Sequence, residues 1–506
     1  MSKLGFWSVT MLGVNSILGA GIFLTPGAVV KLAGPLAPLA YILAGAFAGV
    51  MAIVFATAAR YVKTNGASYA YTTAAFGQRI GIYVGVTHAI VAAIAWGVLA
   101  SLFVSTLLTT AFPHQAWAQD TEIFSVKTLT FLIFVAVLLA INMFGNRIIK
   151  WANGTSTVAK VFALLIFIVG GVWIVVTRHV NNYGVSGSAG IYHPRPYALF
   201  GYLEVGHGAA SGLILATIVA LYAFTGFESI ANAAEEMDHP DRTLPRAIPL
   251  TIVVVGAVYV LAVVVAMLLG SNRVVDSNDT VRLAAAIGND AFRTIVVIGA
   301  LVSMFGINVA ASFGAPRLWT ALSDSGTLPS RLSRKNRFGV PTVAFGITAA
   351  LALAFPLALR FDSVNLTGLA VIARFIQFIV VPIALIALAR NRTGERAAAK
   401  RNPYTDVVLP ITAVVISIAL FVSFDYRTIL LTPQGSANYF SITLIVATFG
   451  VVPAIAYLHY YRTIRRRRLR GDDFGGGPVL WKADDHAESR RLPRHCRASS
   501  ATATRM

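Results

Sequence analysis

The chain has 506 residues, of which 57% are apolar and 12% charged, and a mean hydropathy of +0.71. Soluble domains carry about a quarter charged residues, so this composition excludes an ordinary soluble enzyme and a disordered chain alike. The net charge of +20 would point to nucleic acid in a soluble chain, but most of the Lys and Arg residues stand in short segments between apolar blocks or in the C-terminal tail. There they read as topology signals and lipid-headgroup contacts, and no nucleic-acid partner is expected.

About 20 apolar residues suffice to cross a bilayer as a helix. Between charged or Gly/Pro-rich breaks, the apolar blocks predict spans over 6–32, 36–59, 80–112, 127–146, 153–177, 211–236, 246–269, 292–322, 341–359, 364–389, 407–425 and 438–461. The first block runs to about Val30 without a small-residue cleavage site, so no cleavable signal peptide is expected. Twelve spans put both termini on one side. The connections on that side carry eighteen Lys and Arg residues and the opposite connections nine, and the tail from Arg462 adds twelve to the first side. This bias places both termini in the cytoplasm of a plasma (inner) membrane protein. The single cysteine, Cys496, excludes internal disulfides and thiolate clusters, and the nine His residues lack ligand spacing. No metal or cofactor is expected.

Two spans carry interruptions. Span one contains Gly19-Ala20-Gly21-Ile22-Phe23 followed by Pro26-Gly27, and span six contains Phe224-Thr225-Gly226-Phe227-Glu228-Ser229. Glycine often serves close packing in membrane helices. Two breaks near the middle of spans one and six instead fit inverted repeats over 6–177 and 211–389, with a midplane site between them. Spans eleven and twelve, 407–461, are then additions, residues 1–5 a cytoplasmic N-terminus, and 462–506 a basic, disordered cytoplasmic tail. A broken helix offers N–H groups at one half-helix start, which suit a carboxylate, and carbonyls at the other half-helix end, which suit an ammonium. A zwitterionic amino acid matches both.

At these residues the chain resembles a known family. Gly19-Ala20-Gly21-Ile22-Phe23 is similar to the first-span signature of the amino acid, polyamine and organocation (APC) transporter superfamily. Phe224 to Glu228, followed by Glu235-Glu236 and Pro240 to Pro245, is similar to its sixth-span signature. Asn65-Gly66-Ala67-Ser68-Tyr69 and Asp324-Ser325-Gly326-Thr327-Leu328-Pro329 match weaker patterns of the family, and the resemblance covers roughly residues 5–460. It implies an all-α fold of twelve transmembrane helices: a five-plus-five inverted repeat with broken first and sixth helices, plus two extra helices. The implied activity is secondary amino-acid transport by alternating access. The resemblance also carries the substrate carboxylate to the backbone at Ala20 and Gly21, and the amino group to carbonyls near Ile17 and from Tyr222 through Phe224 to Thr225, with Gly19 and Gly226 counted in the same binding site. Some members have Ser where this chain has Ala20, so here backbone N–H groups would act without a hydroxyl.

Two basic residues, Lys160 and Arg374, fall inside predicted spans, where an ionisable group is costly unless it faces a partner or a wet cavity. Lys160 has two readings. About seven residues into span five, it could snorkel to the interface; or its ammonium could sit against the first broken helix, where sodium-coupled relatives of this fold bind sodium. Some proton-coupled members resemble this chain in having a lysine on span five, and a desolvated amine gives up its proton more readily than one in water. Glu228 either caps the second half-helix or acts as a gate or relay. Arg374 pairs with Glu228 or a gate, or binds a carbonyl or headgroup. Glu235, Glu236 and Asp238 read as anchors for nearby Arg residues, and His88 as an interior histidine.

In the fold the resemblance implies, side-chain specificity comes largely from spans three, six, eight and ten; here span three offers Ala92, Ala93, Ala95 and Trp96, span six Tyr222, Phe224 and Phe227, and span eight Ile307, Asn308 and Ala311. The lining is small, aromatic or apolar, with no carboxylate besides Glu228, which favours a neutral or apolar amino acid, with protons as coupling ions. A transporter or exchanger of cationic amino acids or polyamines would use Glu228 and the aromatic faces. A sensor without net transport needs a signalling tail, and a membrane-embedded enzyme a cluster of catalytic side chains; neither pattern is present in the sequence. The charge bias is open to direct test: cysteines introduced at Arg334 and Arg396 should react only from the cytoplasmic side, and ones at Asp120 and Asn278 only from outside. The reverse pattern would invert the topology.

Overall fold

In hydrocarbon every backbone N–H and C=O has to be bonded within the protein, and a helix meets that demand within a single segment. The computed structural model, which describes residues 5–19, 21–62, 67–113, 115–118, 120, 122, 124–143, 146–183, 197–206, 209–227, 240–276, 281–390, 402–432 and 434–470, is accordingly almost all helix. Ten helical stretches among these residues are long and apolar enough to cross a membrane, and two shorter apolar ones, Ser211–Phe224 and Thr342–Ala358, stand at the sixth and ninth positions. The chain is an integral membrane protein.

The first block divides into α1 (Phe6–Ile17), the single turn α2 (Gly21–Leu24) and α3 (Pro26–Ala33). Gly34, with φ at 54°, bends the chain into α4 (Ala37–Tyr61). After α5 (Ala67–Phe76) come the long α6 (Gln78–Ala111), α7 (Val126–Met143) and α8 (Asn146–Arg178). The second half begins with α9 (Ala209–Leu221), whose last turn tightens into a 3-10 segment at Tyr222–Phe224. It continues with α10 (Pro240–Asp276, interrupted at Gly270), α11 (Arg282–Ala285), α12 (Asp290–Asp324) and α13 (Thr342–Ala358). Then follow α14 (Ser363–Ile372), α15 (Phe375–Arg390), α16 (Leu409–Ser423), α17 (Arg427–Leu430), α18 (Tyr439–Val446) and α19 (Val452–Arg470). Among the closest pairs are α8 with α12, α4 with α10, and α6 with α12 and α13.

Helix α8 shows how a bilayer inverts the usual pattern. Val158, Phe162, Leu165, Val169 and Trp173, spaced by three or four residues, are exposed, while Ser156 and Lys160 are buried. An apolar stripe facing outward is stable only against lipid, and the polar residues gather inside, where partners are fixed.

Four features depart from the sequence reading. The segment after span two, read as a connection, forms α5, which packs its Thr73 side against Gly81 of α6. A short antiparallel pair, Tyr197–Leu199 with Leu203–Gly206, lies between α8 and α9. Span ten is broken: α14 stops at Ile372, Ala373 and Arg374 form a turn, and α15 starts at Phe375. The last helix continues to Arg470, so residues 462–470, assigned above to the disordered tail, are helical. The rest of the tail, with Cys496, lies outside the described residues.

Close approach of α6 and α13 requires Gly97, where an added Cβ would lie 2.2 Å from the Ala352 carbonyl oxygen. Gly97→Val should lower stability by about 3 kcal/mol or more, because backbone cannot rotate out of the way as a side chain can. Gly346→Ala, in open space on α13, should be neutral or stabilising by about 0.5–1 kcal/mol. Thermal unfolding of both variants in detergent checks the contrast, and equal transition temperatures would contradict it.

Candidate functional site

A helix that stops in the membrane leaves its last carbonyls and the next helix's first N–H groups without intrahelical partners. The last four carbonyls of α1 meet different neighbours. Val14 O accepts from the Leu18 N–H at 2.8 Å. Asn15 O accepts from the Lys160 ammonium at 2.6 Å, and the Asn15 side chain is held by Thr157, whose Oγ1 donates to Asn15 Oδ1, also at 2.6 Å. Thr157 and Lys160, three residues apart on α8, therefore clamp one residue at the helix end. Ile17 O accepts from the Tyr259 hydroxyl at 2.8 Å. Ser16 O faces Gly226, where a Cβ would come within 2.4 Å of it.

The sixth-span break is bound to the first. Tyr259 Oη lies 3.1 Å from Ala223 O as well as near Ile17 O. Gly21, the first residue of α2, stands against Ala223 so tightly that a Cβ would sit 2.6 Å from the Ala223 Cα. Thr225 is extended, with ψ at 146°, and its Oγ1 donates to Tyr222 O at 2.7 Å. Gly226 has φ at 116°, a conformation open to glycine and strained for other residues. Behind α2, the Tyr41 hydroxyl contacts Thr25 Oγ1 at 2.6 Å, and Thr25 donates on to Gly21 O at 2.9 Å.

These two breaks open onto a cavity of about 550 Å³, within the range of small-molecule sites. The first break contributes Ile17, Gly19 and Gly21; the sixth contributes Tyr222, Thr225 and Gly226; α6 contributes His88, Ala92, Ala95 and Trp96; and α12 contributes Ile307 and Ala311. Lys160 reaches the cavity from α8, and Arg374 and Gln377 from the break in span ten. Lys160 is only 2% exposed. It lies six residues into the apolar stretch that begins at Gly154, and its amine ends on the Asn15 carbonyl at the helix break.

Four residues expected in the lining are turned away from it. Phe224, fully buried, packs its ring behind the break, edge-on to Tyr259 at 5.2 Å and beside Gly45 and Gly256. The tightened 3-10 turn at Tyr222–Phe224 puts Tyr222 on the cavity and rotates Phe224 to the opposite side. Asn308 is also fully buried, and its Nδ2 donates to Met304 O at 2.8 Å and Leu99 O at 3.2 Å, tying α12 to α6. The α12 stripe facing the cavity is Ile307, Ala310, Ala311, Gly314 and Leu318, and Asn308 lies one position off it. Phe227 packs between Phe55 and Phe378, and Ala93 is buried in the helix packing. Ala20 and Glu228, and with them Glu235, Glu236 and Asp238, lie outside the described residues.

Several lining groups were not singled out for the cavity from sequence. His88 shares a hydrogen bond with Ser68 Oγ at 3.2 Å, and Ser68 donates to Gln377 Oε1 at 3.2 Å, which joins α6, α5 and α15 at the cavity's edge. Asn15, Ser16 and Gln377 are polar residues inside apolar blocks, a signal in itself.

A membrane-embedded cavity of this size, framed by broken helices, is the setting of a small-molecule transporter. Comparison with known proteins agrees: the amino acid permease family matches residues 4–452, and the chain belongs to that family. It is 73% identical over 464 residues to an uncharacterized transporter of Mycobacterium tuberculosis, covering 92% of this chain and 96% of that one. Two Bacillus subtilis proteins are each 26% identical. The methylthioribose transporter aligns over 81% of this chain and 86% of its own, and the branched-chain amino acid permease BcaP over 84% and 89%.

The contact between the breaks should govern ligand binding. Gly21→Val pushes against the Ala223 backbone and Gly226→Ala against the Ser16 carbonyl. Each should abolish the ligand-induced thermal shift that the parent shows in a screen of common amino acids, with insertion and elution unchanged. A full shift in either well-behaved variant would contradict this role.

Proposed function

We propose that the chain is a secondary active transporter of neutral amino acids, working by alternating access across the inner membrane and coupled to protons. The observation that carries this reading is the junction of the two interrupted helices at one cavity. The α2 start at Gly21 offers N–H groups and the positive end of a dipole to a carboxylate, while Tyr222 to Thr225 offer carbonyls to an ammonium. The architecture we propose is twelve crossings, with 6–177 and 211–389 as inverted repeats, 407–461 as an added pair, and both termini cytoplasmic.

Among the described residues the cavity lining includes Lys160 and Arg374 and no carboxylate. A site already holding two basic side chains is a poor host for a third cation, which supports a neutral substrate over a cationic one. The small side chains of Ala92, Ala95, Ala310 and Ala311 leave room for an apolar substrate side chain, in keeping with a branched-chain permease among the relatives. The relative named for methylthioribose bears on the same point, since a cavity whose walls are apolar accepts a thioether as readily as a branched alkyl group.

Lys160 is the proposed coupling residue. Protonated, it gives Asn15 O a charge-assisted hydrogen bond and steadies the end of α1 against α8. On losing its proton it holds that carbonyl less strongly, so α1 is freer to move relative to α8, and the proton's arrival or departure biases the conformational equilibrium. The test is uptake into liposomes with an imposed inward proton gradient and no sodium. Lys160→Ala should lower accumulation of a neutral amino acid roughly tenfold or more, matching the loss of one charge-assisted bond of about 1.5–3 kcal/mol, while binding survives. Undiminished accumulation would remove Lys160 from coupling. A sodium requirement in the parent would replace the proton, and uptake confined to cationic substrates would overturn the proposed specificity.

A further inference from the structure

Away from the substrate cavity, an apolar groove of about 650 Å³ runs between α4 and α10. Its α4 side is Ile42, Gly45, Ala46 and Gly49, and its α10 side includes Pro249, Val253, Gly256 and Val260. The groove exists because glycine and alanine occupy the positions where the helices approach. The only hydroxyl in its lining belongs to Tyr41; because Thr25 donates to Gly21 O, the Tyr41 hydroxyl donates to Thr25. A space of this size lined by apolar atoms does not hold water, and left empty it forfeits dispersion contacts.

One charged residue continues the α10 side. Arg246 is exposed and makes no ion pair with any described residue. Arg246, Pro249, Val253, Gly256, Val260 and Val264 are spaced by three or four residues, so they share one face of the helix. The basic side chain therefore stands one turn beyond the end of the groove, on the same stripe. From Pro249 to Val264 that stripe is about 22 Å long, long enough for a chain entering beside Arg246 to pass the bilayer midplane.

We propose that this groove binds one acyl chain of an anionic phospholipid whose headgroup phosphate pairs with Arg246. The alternative of a second copy of the protein is disfavoured by symmetry. Two copies in one membrane are related by a two-fold axis along the membrane normal. Pairing through this face would bring both Arg246 residues together at one depth with no acidic residue on the described stripe between them, whereas a phospholipid supplies an anion at the headgroup level and hydrocarbon below it. The groove is also close to the substrate site. Its floor is the ring of Phe224, 3.1 Å from the position a Cβ on Gly45 would take, and Tyr41 connects it to Gly21 through Thr25. A bound acyl chain thus rests on the outer wall of both helix breaks.

Native mass spectrometry of the full chain in detergent, titrated separately with dioleoylphosphatidylglycerol and dioleoylphosphatidylcholine, tests the proposal. The parent should retain one phosphatidylglycerol per chain with about fivefold preference over phosphatidylcholine, as expected of the ~1 kcal/mol that one basic residue contributes near an anionic surface. Arg246→Ala should remove the preference. Ala257→Trp, on an exposed groove position, should displace the retained lipid altogether. Gly49→Leu, whose Cβ meets nothing closer than Ile252 at 3.7 Å, fills the groove independently and should do the same. Equal retention of the two lipids by the parent, unchanged retention in either filled variant, or a dimer that the filled variants split would each overturn the proposal.

Discussion

The structure depends on one constraint: backbone that leaves the helix inside a membrane has to find its hydrogen bonds elsewhere. Each buried polar group left unpaired costs about 1–3 kcal/mol, and the end of α1 alone exposes several. This chain meets the demand with fixtures drawn from two helices, Lys160 from α8 and Tyr259 from α10, and sets the tight backbone turn of Gly226 against the Ser16 carbonyl. The polar groups not consumed in this way border the cavity. Its position is therefore a by-product of where the unwound segments are braced.

The bracing explains why the most closely packed helices are those that touch the breaks. Helix α8 lies on α12 through small residues, with Gly299 against Ala163, and this packing fixes the depth at which Thr157 and Lys160 reach Asn15. Helix α4 lies on α10 through Gly45 and Gly256, and the space they leave takes the Phe224 ring. A larger side chain at either contact would shift a whole helix, and with it the group that satisfies a carbonyl. Packing and polar chemistry are accordingly one problem in this molecule: the glycines set distances, and the distances decide which polar atoms meet.

Much of the architecture could be read from the apolar blocks, because the hydrocarbon permits only helices there and the block lengths match the bilayer. The breaks in spans one and six were legible for a local reason, since Gly19, Gly21 and Gly226 interrupt otherwise continuous helix formers. The break in span ten was not, because Val371-Ile372-Ala373-Arg374-Phe375 contains no glycine or proline; only the charge of Arg374 marked the place. Side-chain direction at the site was the least legible feature. A 3-10 turn at Tyr222–Phe224 changes the angle between successive residues, so membership of span six does not tell which side chains face the cavity, and the Phe224 ring faces the other way. Asn308 shows a similar difficulty: a polar residue one position off a cavity stripe looks the same in sequence as a ligand contact, while its amide serves two backbone carbonyls.

The hydroxyl of Tyr259 has a consequence of its own. A phenol has a single proton, and here two carbonyls, Ile17 O and Ala223 O, lie within reach of it at 2.8 and 3.1 Å. They compete for it. When either broken segment withdraws, the proton goes wholly to the one that stays, which then gains what the other has lost. In the alternating-access cycle proposed above, rocking of one segment past the other would be cheapened, since the hydroxyl could pass its bond from one carbonyl to the other. In that cycle the tyrosine would serve as a bearing between the two interrupted helices as well as a brace.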